Sequence, residues 1–282
     1  MNTVEDHLMS KLSKLEALLQ EMQSVLLAYS GGTDSTLLLK VAHTVLGENM
    51  LAVTALSALT PRREKKDAEE MVRLINANHV FVDSDDLSNP LLIANNPDKC
   101  YHCKKRCFDL LKKMAAQKGF KFVVDGTNRD DFSDYRPGMN AIQELGIRSP
   151  LSEAGLRKTE IRQLSRHFKL PTWDKPASAC LASRVPYGTQ ITVEKLKQID
   201  AGETYLHSLG ISRQVRVRHH GAVARIEVAS KDFNPLLEET TRYRIVNFFK
   251  KIGFQFVALD MEGYTMGSLN REIVPREGNQ NG

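Results

Sequence analysis

A glycine-rich segment, SGGTDS at residues 30–35, has the composition of a loop that binds phosphate. It lies between an apolar run at residues 25–29, typical of a buried strand, and the start of a predicted helix. Glycines let backbone N–H groups approach an anion closely, and a helix N-terminus offers unpaired donors. Ser30 and Ser35 add hydroxyl donors. Asp34 would repel a phosphate unless it held Mg²⁺ or a neighbouring donor, so the segment implies a divalent cation.

Two better-known phosphate motifs are excluded for this segment, which we call the phosphate loop. It lacks the Gly-Lys-Ser/Thr of a Walker A loop and the third glycine of a dinucleotide-binding fingerprint. On spacing alone, an ordinary strand–helix turn with a glycine and an Asp or Ser cap explains the same residues equally well.

The four cysteines are unevenly distributed, at positions 100, 103, 107 and 180. A Cys-x₂-Cys pair with a distant thiolate is typical of a metal or iron–sulfur site. Cys107 shares a helical face with Leu110, Leu111 and Met114, which favours packing in the core. Structural Zn²⁺ bound by all four cysteines and inert buried thiols are the alternatives.

Two arginines and two acids in the C-terminal part are further candidates for site residues. Arg216 and Arg218 lie on the same face of a predicted strand because side chains alternate along it. They could bind an anion or simply face solvent. Glu203 and Asp232 are candidates for binding a cation or assisting proton transfer, although acidic residues are common at surfaces.

Apolar periodicity predicts a chain of two domains and a flexible tail. The first domain, residues 1–187, alternates strands and helices, which indicates an α/β fold with a doubly wound parallel sheet. Its predicted helices span 4–22, 36–46, 63–76 and 101–118, and its predicted strands span 25–29, 51–55, 80–82 and 122–124. The second, residues 188–272, has the pattern of a smaller α+β domain, with helices at 193–209 and 235–252 and strands at 215–218, 224–228 and 256–259. Residues 273–282 are the tail.

Composition narrows the class of protein. The 282 residues are 41% hydrophobic and 26% charged, as expected of a globular chain. No apolar run approaches a membrane span, and the N-terminal residues do not resemble a secretory signal, so we expect a cytoplasmic protein. A net charge of +5 suits an anionic small molecule and is too weak to indicate nucleic-acid binding.

The phosphate loop resembles the PP-loop of the ATP-pyrophosphatase superfamily, whose members split ATP between its α and β phosphates. The similarity to one family, LarE, extends over roughly residues 5–272. It is carried by the segments DFSDYRPG at 131–138, RSPL at 148–151, PTWDKP at 171–176, ACLASR at 179–184 and RVRHHG at 216–221.

The resemblance implies an ATP-dependent sulfur transferase. Such enzymes adenylate the carboxylates of pyridinium-3,5-biscarboxylic acid mononucleotide and convert them to thiocarboxylates for the nickel-pincer cofactor, with ATP and Mg²⁺ as cofactors. It places ATP on residues of the phosphate loop, the strand before it and a later strand end: Ala28, Ser30, Gly31, Gly32, Asp34, Ser35, Gly126 and Thr127. It places the phosphate of the substrate on Arg216 and Arg218, with Ser183 and Arg184 near the reacting group.

The resemblance also implies the source of sulfur. Some LarE enzymes have one cysteine, matching Cys180, which donates its own sulfur and becomes dehydroalanine. Others hold a [4Fe–4S] cluster by three thiolates, and sulfide on the open iron is delivered repeatedly. With Cys100, Cys103 and Cys180, this sequence resembles the second kind, and Cys107 is left outside the ligand set because a fourth ligand would block the open iron. Relatives form symmetric oligomers, so a homohexamer is expected.

Three other functions remain open. A PP-loop tRNA thiolase would share the loop and the cysteines, although aromatic residues are only 7% and no Lys/Arg-rich appended domain is evident. An ammonia-using ligase such as NAD or GMP synthetase would need no thiol cluster. A non-enzymatic nucleotide-binding module would form no pyrophosphate.

Overall fold

The computed structural model describes residues 3–133, 138–176, 178–211, 214–265 and 267–272. The predicted tail, 273–282, lies outside the described residues, as do residues 134–137 of the segment at 131–138. The chain forms two compact units. The first contains Met1–Asp86 and Cys100–Ser178, and the second contains Leu87–Lys99 and Ala179–Gly282.

The helices and strands alternate over most of the described chain. The strands are β1 (Val25–Ala28), β2 (Met50–Leu56), β3 (His79–Asp83), β4 (Phe122–Val124), β5 (Val215–His220), β6 (Val223–Val228) and β7 (Phe256–Leu259). The α-helices are α1 (Thr3–Met22), α2 (Thr33–Leu46), α3 (Arg62–Ile75), α4 (Pro90–Ile93), α5 (Lys99–Lys118), α6 (Gly138–Glu144), α7 (Pro150–Glu153), α8 (Lys158–His167), α9 (Val193–Ser208), α10 (Phe233–Leu237) and α11 (Glu239–Lys251). Within the described ranges, none of these helices has the length and apolar character needed to traverse a bilayer.

The sheet of the first unit is parallel and buried on both faces. Its strand order is β3-β2-β1-β4. Val25 and Leu27 join a core cluster with α1, α2 and α8, whereas Leu26 joins a second cluster with α5 and α6. Because successive side chains of a strand point to opposite faces, a strand covered by helices on both sides must be continuously apolar. This explains the uninterrupted apolar run of β1 and confirms the predicted α/β class.

The strand order creates a switch point between β1 and β4. From β1 the chain proceeds outward to β2 and β3, and it then crosses back to add β4 on the other side of β1. In such sheets the loops that leave the two central strands diverge to opposite faces, which opens a crevice at the carboxyl edge. The phosphate loop follows β1 and residues 125–128 follow β4, so both lie at this edge.

The second unit is the smaller α+β domain that the sequence predicts. Its sheet has the order β5-β6-β7, with β5 and β6 antiparallel and β6 and β7 parallel. Phe249 of α11 is fully buried in its core. A Cβ at Gly202 of α9 would lie 2.9 Å from the Phe249 ring, so the glycine allows helix and ring to pack closely.

The second unit also includes Leu87–Lys99, which the sequence analysis assigns to the first domain. Backbone bonds join this segment to the residues after Cys180. The Gly188 N–H donates to the Asn95 carbonyl at 3.1 Å, and the Ile191 N–H donates to the Ile93 carbonyl at 2.9 Å. The compact units therefore divide after Ser178, because contacts between residues distant in sequence define them.

Two helix boundaries differ from those predicted. Helix α2 begins at Thr33, three residues earlier, because extended Gly32 is its N-cap and Asp34 occupies the first turn, where the helix dipole favours an acid. The single helix predicted over 235–252 is two helices, because Glu238 adopts an extended conformation between α10 and α11.

Replacement of Phe249 by Ala tests the packing of the second unit. The side chain is fully buried, so Phe249→Ala should lower the free energy of unfolding by about 3–5 kcal/mol. Phe256→Ala is the matched control because that ring is 62% exposed, and it should cost no more than about 0.5 kcal/mol. Urea titration followed by circular dichroism measures both. Equal losses would contradict this packing.

Candidate active site

The phosphate loop has a conformation that requires glycine at position 31. Gly31 has φ +71°, in the left-handed region. A Cβ at this position would also lie 3.1 Å from the Cβ of Ala68 on α3. A side chain is therefore disfavoured by both the backbone angle and the neighbouring helix.

Hydroxyl groups hold the loop in this shape. The Ser30 and Ser35 hydroxyl oxygens lie 3.0 Å apart, and the Gly32 N–H donates to the Ser30 hydroxyl at 3.4 Å. Thr33 donates its hydroxyl to the Thr172 carbonyl at 2.8 Å. The loop is thus tied to itself and to the segment after α8, and it opens directly into the N-terminus of α2, where an anion is favoured.

The loop after β4 approaches the phosphate loop through Gly126. A Cβ at Gly126 would lie 2.9 Å from the backbone nitrogen of Ser35, which no side chain tolerates. Buried Asp125 orders the loop, because Thr127 donates its hydroxyl to one carboxylate oxygen at 2.6 Å and Ser149 donates to the other at 2.7 Å. The structure therefore brings Gly126 beside the phosphate loop, with Thr127 next to it in the same loop.

Asp34 has a cationic partner that the sequence analysis does not identify. Lys158 Nζ lies 2.7 Å from both carboxylate oxygens, and the Asn128 amide lies 3.4 Å from one of them. Burial raises the pKa of Asp34, and the Lys158 charge opposes that rise. Lys158 begins α8, where a cation opposes the helix dipole. That unfavourable position is the one sequence signal that could have identified Lys158 as a site residue.

Lys175 is a second residue of this kind. Its ammonium donates to the Gly31 carbonyl at 3.2 Å and contacts the carboxylates of Glu64 at 2.8 Å and Asp67 at 2.9 Å. Glu64 and Asp67 lie one turn apart on α3. Lys175 therefore ties α3 to the phosphate loop.

The cysteines occupy two different environments. Cys100 is exposed and Cys103 is half-buried, both at the start of α5, and Cys180 is exposed immediately before a short 3₁₀ turn at Leu181–Arg184. Cys107 packs against the core on one face of the sheet, as its helical spacing predicts, and burial raises the pKa of its thiol to about 11. Cys103 and Cys107 are both half-buried, so Cys107 is distinguished by its apolar surroundings and its raised pKa and not by a smaller exposure.

The predicted cluster ligands are divided between the units. Cys100 and Cys103 belong to the first and Cys180 to the second. No three His, Cys, Asp or Glu side chains in the described ranges are grouped so that they would hold a metal ion. Two thiols one helical turn apart at a helix start are nevertheless a donor pair of the kind that iron–sulfur sites use.

Arg184 organises the backbone around Cys180. It is 2% exposed and forms a bidentate pair with Glu203, at 2.8 and 3.0 Å. Its remaining nitrogen donates to the carbonyls of Ala179 at 2.6 Å and Cys180 at 2.9 Å. Glu203 also accepts the Val217 N–H at 3.1 Å. The predicted acid Glu203 therefore balances a buried guanidinium.

Arg218 makes a second buried pair. Its guanidinium contacts the Glu227 carboxylate at 2.9 and 2.7 Å and donates to the Ser183 carbonyl at 2.7 Å. Ser183 in turn donates its hydroxyl to the Cys180 carbonyl at 2.8 Å. Arg184 and Arg218 thus fix the turn that follows Cys180.

Arg216 lies in a different environment. It is half-buried, and its guanidinium carbon lies 5.0 Å from the centre of the Tyr264 ring. Burial lowers the pKa of Arg216, and the positive charges of Arg184 and Arg218 lower it further. The Glu203 carboxylate acts in the opposite direction, so burial is the main cause of the lowered pKa.

Asp232 carries a buried oxygen with unmet hydrogen-bonding capacity. The residue is 8% exposed, and Oδ2 has no hydrogen-bond partner among the described residues. A buried carboxylate oxygen normally accepts a hydrogen bond, from protein or water, or contacts a cation. Of the two candidate acids, Glu203 uses both of its oxygens in hydrogen bonds, whereas Asp232 keeps one unused acceptor among the described residues.

A parallel sheet with a glycine-rich loop at its switch point defines a PP-loop nucleotide-binding enzyme fold. In agreement, the chain is 28% identical over 192 residues to one of the subunits of the glutamine-hydrolysing GMP synthase of Thermoplasma volcanium, covering 62% of this chain and 61% of that protein. A search against profiles of known protein families finds no match.

Other relatives match almost the whole chain, and two of them are described here. An uncharacterised protein of Synechocystis sp. is 44% identical over 265 residues, covering 94% of this chain and 98% of the relative. The pyridinium-3,5-bisthiocarboxylic acid mononucleotide synthase of Lactiplantibacillus plantarum is 39% identical over 268 residues, covering 95% and 96%. The chain belongs to the family of this synthase, the LarE family, and the resemblance noted from its motifs is confirmed.

The environment of Cys107 predicts slow alkylation. Its pKa is raised from about 9 to about 11, so at pH 8 its thiolate fraction, and hence its rate with iodoacetamide, should be ~100-fold lower than for an ordinary exposed thiol. The difference should shrink as the pH rises toward 11. Peptide mass spectrometry of the reduced apoprotein compares Cys107 with exposed Cys180. Equal rates at pH 8 would show that Cys107 is accessible.

Proposed function

We propose that the chain is an ATP-dependent sulfur transferase that converts the carboxylates of pyridinium-3,5-biscarboxylic acid mononucleotide to thiocarboxylates for a nickel-pincer cofactor. The observation that carries the proposal is 39% identity, across nearly all of both chains, to a synthase named for the bisthiocarboxylic product. Similarity to the GMP synthase protein covers only 62% of the chain, which makes an ammonia-using ligase the weaker interpretation.

The proposal gives the first step to the switch point of the parallel sheet. A carboxylate is a poor electrophile, and transfer of AMP to its oxygen creates a good leaving group while pyrophosphate departs. The N-terminus of α2 and the amides of the phosphate loop would stabilise the negative charge of the departing pyrophosphate. The residues proposed to hold ATP are Ala28, Ser30, Gly31, Gly32, Asp34, Ser35, Gly126 and Thr127.

Mg²⁺ is proposed at this site because Asp34 places a carboxylate, a ligand that Mg²⁺ prefers, in the phosphate loop at the sheet edge. Among the described residues its charge is also balanced by a lysine. Lys158 fills that role in the described structure, at 2.7 Å from both oxygens. When bound, Mg²⁺ would supply positive charge to the phosphates. Lys158 holds Asp34 in position at the mouth of the loop, and Asn128 supports it from the other side.

The substrate, a phosphate with two carboxylates, requires a cationic pocket. Arg216 is proposed to bind its phosphate because it is a half-buried cation near two further guanidinium groups, those of Arg184 and Arg218. Arg184 and Arg218, which the family resemblance also implicates, are already paired with Glu203 and Glu227. Their proposed contribution is positive charge and the shape of the turn that they hold.

Sulfur is proposed to come from a [4Fe–4S] cluster held by Cys100, Cys103 and Cys180. The exposure of Cys100 and Cys180, and the packing of half-buried Cys107 against the core, support this choice of three ligands. When bound through three thiolates, the cluster would supply an iron that can carry an extra sulfide. The chain itself would keep these three thiols accessible, while the fourth, Cys107, packs against the core.

A second candidate is sacrificial donation, which the exposure of Cys180 favours. The Cys180 thiolate would attack the acyl-adenylate and release AMP, forming a thioester. Loss of the Cα proton and cleavage of the Cβ–S bond would then give the thiocarboxylate and dehydroalanine. Each chain would act once per sulfur.

The proposed role of Asp34 and Lys158 can be tested by pyrophosphate release. Asp34→Ala should abolish release, and Lys158→Met should lower its rate ~10²-fold, since the buried carboxylate loses its balancing charge. Lys113→Met, at an exposed position on α5, is the control and should retain full activity. Normal release by Asp34→Ala would remove this residue from the ATP site.

The sulfur source can be tested by iron analysis of anaerobically prepared protein. The wild type and Cys107→Ala should be brown with about four irons per chain, whereas Cys100→Ser and Cys103→Ser should lose the cluster because a thiolate ligand is missing. Turnover counting should give several thiocarboxylates per chain. A colourless wild-type chain that loses the mass of H₂S after one turnover would instead establish the sacrificial route.

A further inference from the structure

Tyr29 connects the two ends of the phosphate loop through its side chain. It is the residue immediately before the loop, it is 3% exposed, and its hydroxyl oxygen lies 3.2 Å from the hydroxyl oxygen of Thr36. Thr36 is fully buried and immediately follows the loop, as the fourth residue of α2. One hydrogen bond between side chains therefore joins the residue that enters the loop to the residue that leaves it.

The backbone of Tyr29 belongs to the sheet. Its N–H donates to the Val53 carbonyl at 2.9 Å, which continues the pairing of β1 with β2 beyond Ala28. Its carbonyl accepts a hydrogen bond from the hydroxyl of buried Thr54 at 2.8 Å. Both backbone groups of Tyr29 are thus bound to β2, so the position of this residue is set by the sheet and not by the loop.

The ring of Tyr29 is oriented by His79, the first residue of β3. The two rings meet edge to face, with their centres 5.9 Å apart. His79 Nε2 also lies 2.9 Å from the hydroxyl oxygen of Thr54. Thr54 has one hydroxyl proton and gives it to the Tyr29 carbonyl, so His79 is the donor in this second bond. Side chains of β2 and β3 therefore hold both the backbone and the ring of Tyr29.

The hydroxyl of Tyr29 remains protonated at neutral pH. Burial raises the pKa of Tyr29 to about 12, the negative charges of Asp67 and Glu64 act in the same direction, and the hydrogen bond with Thr36 opposes them. A neutral hydroxyl can keep this bond when a phosphate is nearby, whereas a phenolate would repel the phosphate. Tyr29 is therefore suited to holding Thr36 and not to exchanging a proton.

Thr36 lies where α2 becomes regular. Its N–H donates to the Gly32 carbonyl at 2.9 Å, the first bond of the helix. The N–H groups of residues 33–35 come before this bond, and groups in that position have no partner within the helix, which leaves them as donors for an anion. Their direction follows from the orientation of the first helical turn. Holding Thr36 against Tyr29 therefore fixes where these donors point.

We propose that Tyr29 is a positioning residue of the ATP site: its hydrogen bond to Thr36 holds the first turn of α2 against the end of β1, so that the amides of the phosphate loop are in place before ATP binds. This inference rests on the proposed function, which assigns ATP to this loop. Tyr29 acts through the helix and not by touching ATP. A loop that already has its binding conformation binds more tightly, because no part of the binding free energy is used to order it.

Two substitutions remove this hydrogen bond with little change in shape. Tyr29→Phe deletes one oxygen and keeps the ring, and Thr36→Val replaces a hydroxyl with a methyl group and keeps the β-branched side chain. The double variant Tyr29→Phe/Thr36→Val lacks both partners. If the two residues act through their mutual bond, the double variant should lose no more affinity than either single variant, since the bond can be lost only once.

Each substitution has a matched control elsewhere in the first unit. Tyr101→Phe removes a tyrosine hydroxyl of α5 that donates to Glu144 of α6 at 2.7 Å. Thr44→Val removes a threonine hydroxyl that donates to the Lys40 carbonyl at 2.9 Å within α2 itself. Both controls delete a hydrogen-bonded hydroxyl outside the phosphate loop, so they should bind ATP as the parent protein does.

Isothermal titration calorimetry of the full chain measures the Kd of ATP and of AMP, with Mg²⁺ present and the carboxylate substrate absent so that no turnover occurs. Tyr29→Phe and Thr36→Val should each weaken ATP binding ~10-fold, as expected if the loop has its binding conformation for about a tenth of the time. The Kd of AMP should be unchanged, because AMP lacks the β and γ phosphates that the loop would hold. General damage to the first unit would weaken the binding of both ligands.

The outcomes separate this inference from the proposed function. A selective loss of ATP affinity that does not add in the double variant supports the role of Tyr29. Parent-like ATP binding by Tyr29→Phe, an equal loss of ATP and AMP affinity, or losses that add would each overturn it. A parent chain that binds ATP no more tightly than AMP would instead remove the phosphates from the loop, so that the proposed ATP site fails, and this inference with it. If Tyr29→Phe does not fold, Thr36→Val gives the same comparison from the other partner of the bond.

Discussion

The proposed ATP site depends on the close approach of two backbone segments, the phosphate loop and the loop after β4. At the switch point, Gly126 lies so near the nitrogen of Ser35 that a Cβ there would be 2.9 Å away. The loop after β4 can reach the phosphate loop only because position 126 has no side chain. Any added atom would displace Ser35, and with it the first turn of α2, whose amides face the expected position of the anion. Lys158 and Lys175 contact the same loop, through the Asp34 carboxylate and the Gly31 carbonyl.

Within each unit, charged side chains form pairs that join different secondary-structure elements. The pairs are Asp34 with Lys158, Lys175 with Glu64 and Asp67, Arg184 with Glu203, and Arg218 with Glu227. Removing charges from water costs about as much as such pairs return, so their value lies more in fixing geometry than in stability. Each of these pairs in the first unit contacts the phosphate loop, and each in the second holds a carbonyl of the turn at 179–183.

Local patterns predicted the fold and part of the site. Apolar runs and helical spacing located the strands, and the SGGTDS segment by itself located the phosphate loop. Lys158 and Lys175 were missed because their contacts span 124 and 144 residues, and no local pattern encodes such pairings. The membership of Leu87–Lys99 in the second unit also depends on contacts distant in sequence, so it could not be predicted either. The break at Glu238 was hidden because the residues on both sides suit a helix.

The arginines show where a sequence pattern stops being informative. Alternation on a strand makes Arg216 and Arg218 equivalent, yet Arg218 is bound to Glu227 while Arg216 lies half-buried beside Tyr264. Burial and neighbouring guanidinium groups lower the pKa of Arg216, which means that its charged form is held at a cost in free energy. A bound anion would offset that cost. Glu227 lies opposite Arg216 in the register of β5 and β6, yet its carboxylate pairs with Arg218. Strand alternation therefore does not assign the partner of either arginine, because side chains also reach diagonally across a strand pair.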